Sequence, residues 1–397
     1  MERYLDRNFG KIEKTEIILF GIYIFLSFFE TYLIGFIGNN TKFYLLFILA
    51  VYLYHARLKI RVNTYWVCYF IWFIYKILSL AWSNMSNTDF DAHVFSQIGI
   101  ILLLVVVTGR EQKLVFLHSI LQINLWVSFL FGIMSIIFRG AFLDQTFVAR
   151  QVLTLFGQQN DPNNCAAFLL VGITLGLYSA AVERKKILFN IVIICINIYA
   201  LLLTSSRAGL LTLGAIVIVF TILPHPKECF RMRLIIKKLI VIAVLFLAIL
   251  FIVQNYLPQA NFERLFIWSG YEGGSGRDIR WEKAVKIFAE KPFFGWGWSG
   301  YNTGVGAIHN TFLTSLCDVG ILGTILFTAP LLMISIESIR NKNMLAFLIM
   351  LAGVLPSFVL DAINKRFFWN AILISIMLIL YQNETSEQIT IWKTEDE

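Results

Sequence analysis

Apolar residues in this chain come in long runs broken by short polar connections, at roughly 16–36, 43–54, 64–82, 93–109, 113–138, 163–182, 187–204, 208–223, 238–255, 309–336, 344–361 and 367–383. A bilayer core asks for about 20 apolar residues per helix. The pattern therefore predicts an all-α polytopic membrane protein with about twelve transmembrane helices, the second short and the fifth and tenth long. One connection stands apart, residues 256–308. Within it, Arg277 to Glu290 changes period: Trp281, Ala284, Val285 and Phe288 recur at helical spacing and make the apolar face of an amphipathic helix. Ser275 is placed to cap its start, Pro292 follows its end, and Gly273, Gly274 and Gly276 let the backbone approach something closely. The organisation read from the pattern is an N-terminal transmembrane bundle over 1–255 with about nine helices, one large extracytoplasmic loop over 256–308, C-terminal transmembrane helices over 309–383 and a polar tail over 384–397.

Charge gives the runs a direction. With the N-terminus in the cytoplasm, the even-numbered connections carry Arg57, Lys59 and Arg61, then Arg110 and Lys113, Arg184 to Lys186, the basic set from Lys227 to Lys238, and Arg340 with Lys342. Short basic loops on alternating sides follow the positive-inside rule, and both termini then lie in the cytoplasm. The charged start leads into its first span with no small-residue cleavage site, as a retained first helix does.

Composition agrees: 58% of the 397 residues are hydrophobic and 15% charged, against about 45–50% and about 25% in soluble domains. The net charge of +8 reads as topological, and no nucleic-acid partner is expected. The five cysteines, Cys68, Cys165, Cys195, Cys229 and Cys317, stand singly and read as small core residues. The chain carries no P-loop, dinucleotide fingerprint, His-Glu metal motif or internal repeat.

Candidate chemistry collects on the connections assigned to the outer side. Asp89, Asp91 and His93 form a D-x-D-x-H that offers oxygen and imidazole ligands to a divalent cation, with a solvated acidic loop as the plainer reading. The connection over 139–162 ends in G-Q-Q-N-D-P-N-N, a turn in which Asp161 or Asn160 can cap the following helix. It also carries Arg150, and an arginine on the outer face has no topological use. In T-S-S-R-A-G, Arg207 sits where one apolar run stops and the next begins, which forces a sharp turn. A charge so near hydrocarbon marks a site or snorkels to the surface; snorkelling is the preferred reading for Lys76. Arg277 and Arg280 lie one turn apart at the start of the amphipathic helix. There they oppose the helix dipole but suit an anion held by helix-start amides and guanidinium forks. Only His93 and His309 of the five histidines can see the outer face. His309, followed by Asn310 where the large loop re-enters the membrane, can serve as a base or as a structural hydrogen-bonding group.

In this order, D-P-N-N, S-S-R-A-G, S-G-R-x-x-x-W, K-P-F-F-G-W-G and I-H-N-T-F-L-T-S-L-C-D-V-G-I-L-G resemble the O-antigen polymerase and ligase superfamily over about residues 157–325. The resemblance implies an inverting, metal-independent glycosyltransferase without a cofactor, using an undecaprenyl-pyrophosphate-linked oligosaccharide at the periplasmic face of the bacterial inner membrane. It implies that Arg207 and Arg277 hold the donor pyrophosphate and that His309 activates the acceptor hydroxyl. Arg280 and Arg150 are added to the pyrophosphate set by their placement. A polymerase would use a glycan acceptor and a ligase lipid A-core or a protein; the short outer loops favour the polymerase. A chain-length regulator is a further implied partner. A transporter or flippase for lipid-linked sugars is the reading from a different class, although such proteins place charges at the membrane midplane.

Overall fold

The computed structural model describes residues 11–37, 41–55, 61–84, 90–109, 114–142, 150–183, 186–222, 232–266, 276–301 and 307–384. Each apolar run carries a helix: α1 (Lys11–Ile37), α2 (Thr41–His55), α3 (Thr64–Leu78, continued by a 3-10 turn over Ser79–Trp82), α4 (Phe90–Thr108), α5 (Leu114–Ile137), α6 (Pro162–Tyr178), α7 (Ile187–Leu203), α8 (Arg207–Ile222) and α9 (Met232–Tyr256). The long connection holds α10 (Gln259–Phe266) and α11 (Arg277–Glu290). After it come α12 (Thr311–Arg340), α13 (Met344–Val354) and α14 (Arg366–Glu384). Five helices, over Lys14–Ile34, Thr64–Trp82, Val115–Ile137, Pro162–Ala181 and Thr311–Arg340, are long and apolar enough to cross a membrane, and shorter apolar helices accompany them. The architecture is that of an all-α multi-pass membrane bundle.

Its centre is α6, apolar on every side and buried along its length against α5, α7, α8 and α13. Asp161 caps its start, accepting from the amides of Asn163 and Asn164 at 2.8 and 3.2 Å, and Pro162 follows at the first helical position. Polar pairs tie its neighbours: Asn197 donates to Ser128 at 3.1 Å and Asn190 to Ser179 at 2.9 Å. Such bonds contribute about 1 kcal/mol each between helices. Cys165 and Cys317 are buried free thiols, as the sequence suggests.

The connection read as a simple turn is more than that. It holds a three-stranded antiparallel sheet, β1 (Arg139–Phe142), β2 (Arg150–Leu155) and β3 (Gln158–Gln159), with Arg139 opposite Leu153 and Thr154 opposite Gln159. Phe156 and Gly157, both at positive φ, close the two-residue hairpin between β2 and β3. Val152 and Leu153 are buried against the bundle, so this short backbone satisfies its own polar groups in a ladder while its apolar residues pack on the helices.

Helix α12 is broken at Gly320, which stands at φ 65°, ψ −167°. Segment 291–300 fills the break. The amides of Trp296 and Gly297 donate to the carbonyls of Cys317 and Asp318 at 2.9 and 2.8 Å, and the amide of Ile321 donates to Pro292 at 2.8 Å. A Cβ on Gly320 would meet the Phe293 carbonyl, and one on Gly295 the Asp318 carbonyl, so both positions need glycine. Irregular backbone inside a membrane bundle persists only where protein covers it in this way.

Candidate active site

Two groups of elements meet at one end of the bundle. The first is organised by the turn between α7 and α8. Arg150, on β2 and only 5% exposed, donates from Nε to the Thr204 carbonyl and from Nη2 to Asn163 Oδ1, both at 2.9 Å. Asn163 Oδ1 also accepts from Ser206 Oγ at 2.9 Å, and Ser206 Oγ accepts from the Gly209 amide at 3.1 Å to cap α8. Ser205 takes φ 50°, the sharp turn that the lack of a loop demands. Helix α10 closes over it: buried Asn261 donates to the Leu203 carbonyl and to Ser205 Oγ, both at 2.7 Å. One turn further along α10, the Arg264 carbonyl accepts from Arg207 Nε at 3.0 Å. Asn261 was not a candidate from the sequence. The available signal was Pro258 before a short helix with Asn and Arg one turn apart.

The second group is built on α11. Gly276, at φ 64°, stands at its N-cap without a side-chain cap; the proposed cap Ser275, with Gly273 and Gly274, lies outside the described residues. Ala284 is fully buried and packs with Ile308 and Cys317, joined by Trp281, Ile287, Phe288 and Leu313. Val285, expected on this face, is instead 52% exposed, and Ile287 takes its place. Helix α11 touches both neighbours on this side: its Ile287 carbonyl accepts from Trp296 Nε1 at 2.9 Å, and Ala284 packs with Cys317 of α12. Trp281 Nε1 donates to the Ile308 carbonyl at 3.1 Å, which brings the helix start, and with it Arg277 and Arg280, against the residue preceding His309.

His309 and Asn310 divide their work. Asn310 caps α12, its Oδ1 accepting from the Phe312 and Leu313 amides at 3.0 and 3.1 Å. His309, half-buried, is held at φ 54°, a left-handed conformation costing a branched or bulky residue about 1–2 kcal/mol. Thr311 Oγ1 donates to the Leu360 carbonyl at 2.7 Å and accepts from the Ala362 amide at 2.8 Å, so Asp361 is fixed close by. The His309 imidazole titrates below its ordinary value, first because burial penalises the cation, then because Arg277 and Arg280 repel it. Asp161 and Asp361 act in the opposite sense. At neutral pH it is therefore a neutral imidazole able to accept a proton. Tyr301, packed in the same cluster, keeps its proton to well above the ordinary range, through burial first and the Asp318 and Asp361 charges second.

The structure thus brings Arg277, Arg280 and His309 together. Arg207 and Arg150 stand in the first group, joined to the second through Asn163 and Asp161. Lys76 departs from the expectation: it does not snorkel but is 3% exposed inside the bundle, its Nζ 3.9 Å from Asp318 Oδ2. Asp318 stands there as its buried counter-charge. Of the D-x-D-x-H set, Asp89 lies outside the described residues, as do the side chains of Asp91 and His93, which fall at the start of α4.

Residues 191–328 match a family model described as O-antigen ligase, a stretch that contains Arg207, Arg277, Arg280 and His309 but not Arg150 or Asp161. No curated protein matches the chain. The match supports the resemblance that the ordered motifs carry.

Proposed function

We propose, from the ordered motifs and the match of residues 191–328 to a family model described as O-antigen ligase, that the chain is a polysaccharide polymerase crossing the inner membrane about twelve times. In this reading it transfers an oligosaccharide from an undecaprenyl-pyrophosphate donor to a glycan acceptor at the periplasmic face. The carrying observation is the docking of the α11 start on the His309 segment, with two guanidinium groups close enough to depress the imidazole. Inverting transfer forms a bond from the acceptor oxygen to the anomeric carbon and breaks the bond from that carbon to the pyrophosphate. Negative charge grows on the departing phosphate as the hydroxyl loses its proton.

Arg277 and Arg280, on one face of a helix start, suit the phosphate oxygens. In a partly dry site their fixed charge stabilises the leaving group without reorganisation. His309 takes the hydroxyl proton. Arg207 completes the pyrophosphate set from the start of α8, its Nε spent on Arg264 and its guanidinium plane thereby fixed. Arg150 acts on it indirectly, by holding the Thr204 carbonyl and Asn163.

A second reading, a ligase that moves the glycan to lipid A-core or a protein, takes the description of the matched family model at its word. One experiment separates the two: a whole-cell glycan gel of wild type, a deletion and His309→Ala at equal membrane expression. A polymerase defect leaves core carrying a single repeat unit, and a ligase defect leaves bare core with long chains on the lipid carrier. Normal ladders in His309→Ala would overturn both and favour a transporter.

A further inference from the structure

Lys76 and Asp318 form an ion pair about as dry as the core itself, with side chains 3% and 5% exposed. Both stand within helices read as membrane spans, where ionisable residues are costly to keep. The surroundings are specific. Lys76 Nζ lies 4.4 Å from the ring centre of Trp298 and 5.6 Å from that of Trp72. Asp318 makes three contacts to two elements: its carbonyl accepts from the Gly297 amide at 2.8 Å, Oδ1 accepts from the Ser299 amide at 2.8 Å, and Oδ2 faces Lys76. The end of α3 grips Trp298 from both sides, since Ser79 Oγ accepts from its amide at 2.9 Å and Ser83 Oγ donates to its carbonyl at 2.8 Å. Ser79 Oγ in turn donates to the Lys76 carbonyl at 2.7 Å.

We propose that the Lys76–Asp318 pair is a positioning device: it locks segment 291–301 into the break in α12 and thereby sets where α11 and His309 stand. A continuous series of contacts carries the effect. Trp296 Nε1 donates to the Ile287 carbonyl of α11, Cys317 Sγ to the Ala284 carbonyl at 3.3 Å, and Trp281 Nε1 to Ile308, the neighbour of His309. A buried ion pair is tolerable only when its remaining polar atoms are satisfied, and here the segment's own amide at Ser299 does that for Asp318. Pairing and seating of the segment are therefore coupled, and the loss of either charge removes the other's nearest counter-charge in a dry site. The break in α12 adds a second reason, because the carbonyls of Cys317 and Asp318 have the segment's amides as partners.

The link to catalysis rests on the proposed transfer reaction; the link to the segment does not. The test is hydrogen exchange by mass spectrometry on the full-length protein in detergent, together with whole-cell glycan ladders, for Lys76→Met, Asp318→Asn and the double variant. In the double variant both charges go, Asn keeps an acceptor for Ser299, and Met fills the space between the tryptophans. Each single variant is expected to speed exchange of the 296–299 amides on the order of 100-fold and to shorten the ladder, with α14 exchanging as in wild type. The double variant is expected to recover both.

Wild-type exchange in the singles, or a double as fast as the singles, overturns the device. So does loss of protection throughout α14, which would make the pair a support of the whole fold. Fast local exchange with normal ladders overturns the positioning role, provided His309→Ala loses its ladder. If His309→Ala also keeps a normal ladder, the transfer reading fails, and the exchange data still decide whether the pair seats the segment.

Discussion

The two groups of residues that meet at one end of the bundle both carry arginines, and they use them differently. On the sheet side, Arg150 is buried and directs Nε and Nη2 at a backbone carbonyl and an amide oxygen. On the α11 side, Arg277 and Arg280 are half-buried at a helix start, where the dipole disfavours them. A guanidinium spent on neutral acceptors organises a turn. One placed against the helix dipole beside a depressed imidazole stands where positive charge is disfavoured and an anion is suited. An arginine at this end of the bundle is thus not by itself a ligand for phosphate, and the distinction lies in where each guanidinium stands, buried at the turn or half-buried at a helix start.

The sharpest way to break this comparison is to truncate one arginine from each side. Arg277→Ala is expected to lower transfer on the order of 100–1,000-fold, the scale of a lost preorganised electrostatic contact in a transition state. Its thermal midpoint should fall by less than that of Arg150→Ala. Arg277→Lys should recover little, because a point charge does not reproduce a fork on two oxygens. Arg150→Ala should instead cost about 3 kcal/mol of stability, from two charge-assisted bonds at buried acceptors, read as a lowered thermal midpoint in detergent. Equal midpoints for the two variants, or full activity in Arg277→Ala, would erase the difference drawn here.

A smaller effect tests the same turn from the other side. Asn261→Ala removes the two 2.7 Å bonds that close α10 over Leu203 and Ser205, a loss of about 1–2 kcal/mol. Because Arg207 is tethered to Arg264 on the same short helix, the variant should also weaken use of the donor. Its KM for the lipid-linked substrate should rise with kcat little changed. A change in kcat alone would detach α10 from the arginine it is argued to hold.

What the sequence made legible follows from what each feature depends on. Apolar runs placed the long helices, because in a bilayer hydrophobic length alone decides them. The start and end of α11, the Asp161 cap and the turn at Arg207 were also readable, since each is set by neighbours within one turn of the chain. The sheet was missed because its strands are short and sit among turn residues, and their pairing partner lies across the connection. The Lys76–Asp318 pair joins residues on α3 and α12, far apart in sequence, so a lysine near a helix end read as a snorkelling one. The face of α11 was misread at Val285, with Ile287 two residues on packing instead, because what α11 packs against, the break in α12, has no local signature apart from D-V-G.

The finest test asks whether the two groups share one electrostatic field. The His309 pKa lies below the ordinary 6.5, so activity that needs the neutral imidazole should persist below that pH and fall as the ring is protonated. Arg280→Gln removes a positive charge that disfavours the imidazolium. The pKa should rise, and the acid limb of the pH–rate profile should move to higher pH. Asp161→Asn removes a negative charge that favours the imidazolium, and asparagine still caps α6, so the pKa should fall and the limb should move to lower pH. The two variants lie in different groups and act on one imidazole in opposite directions. Were the limb to respond to Arg280→Gln and stay fixed in Asp161→Asn, the sheet-side group would not reach His309, and the D-P-N-N turn would belong to the scaffold alone.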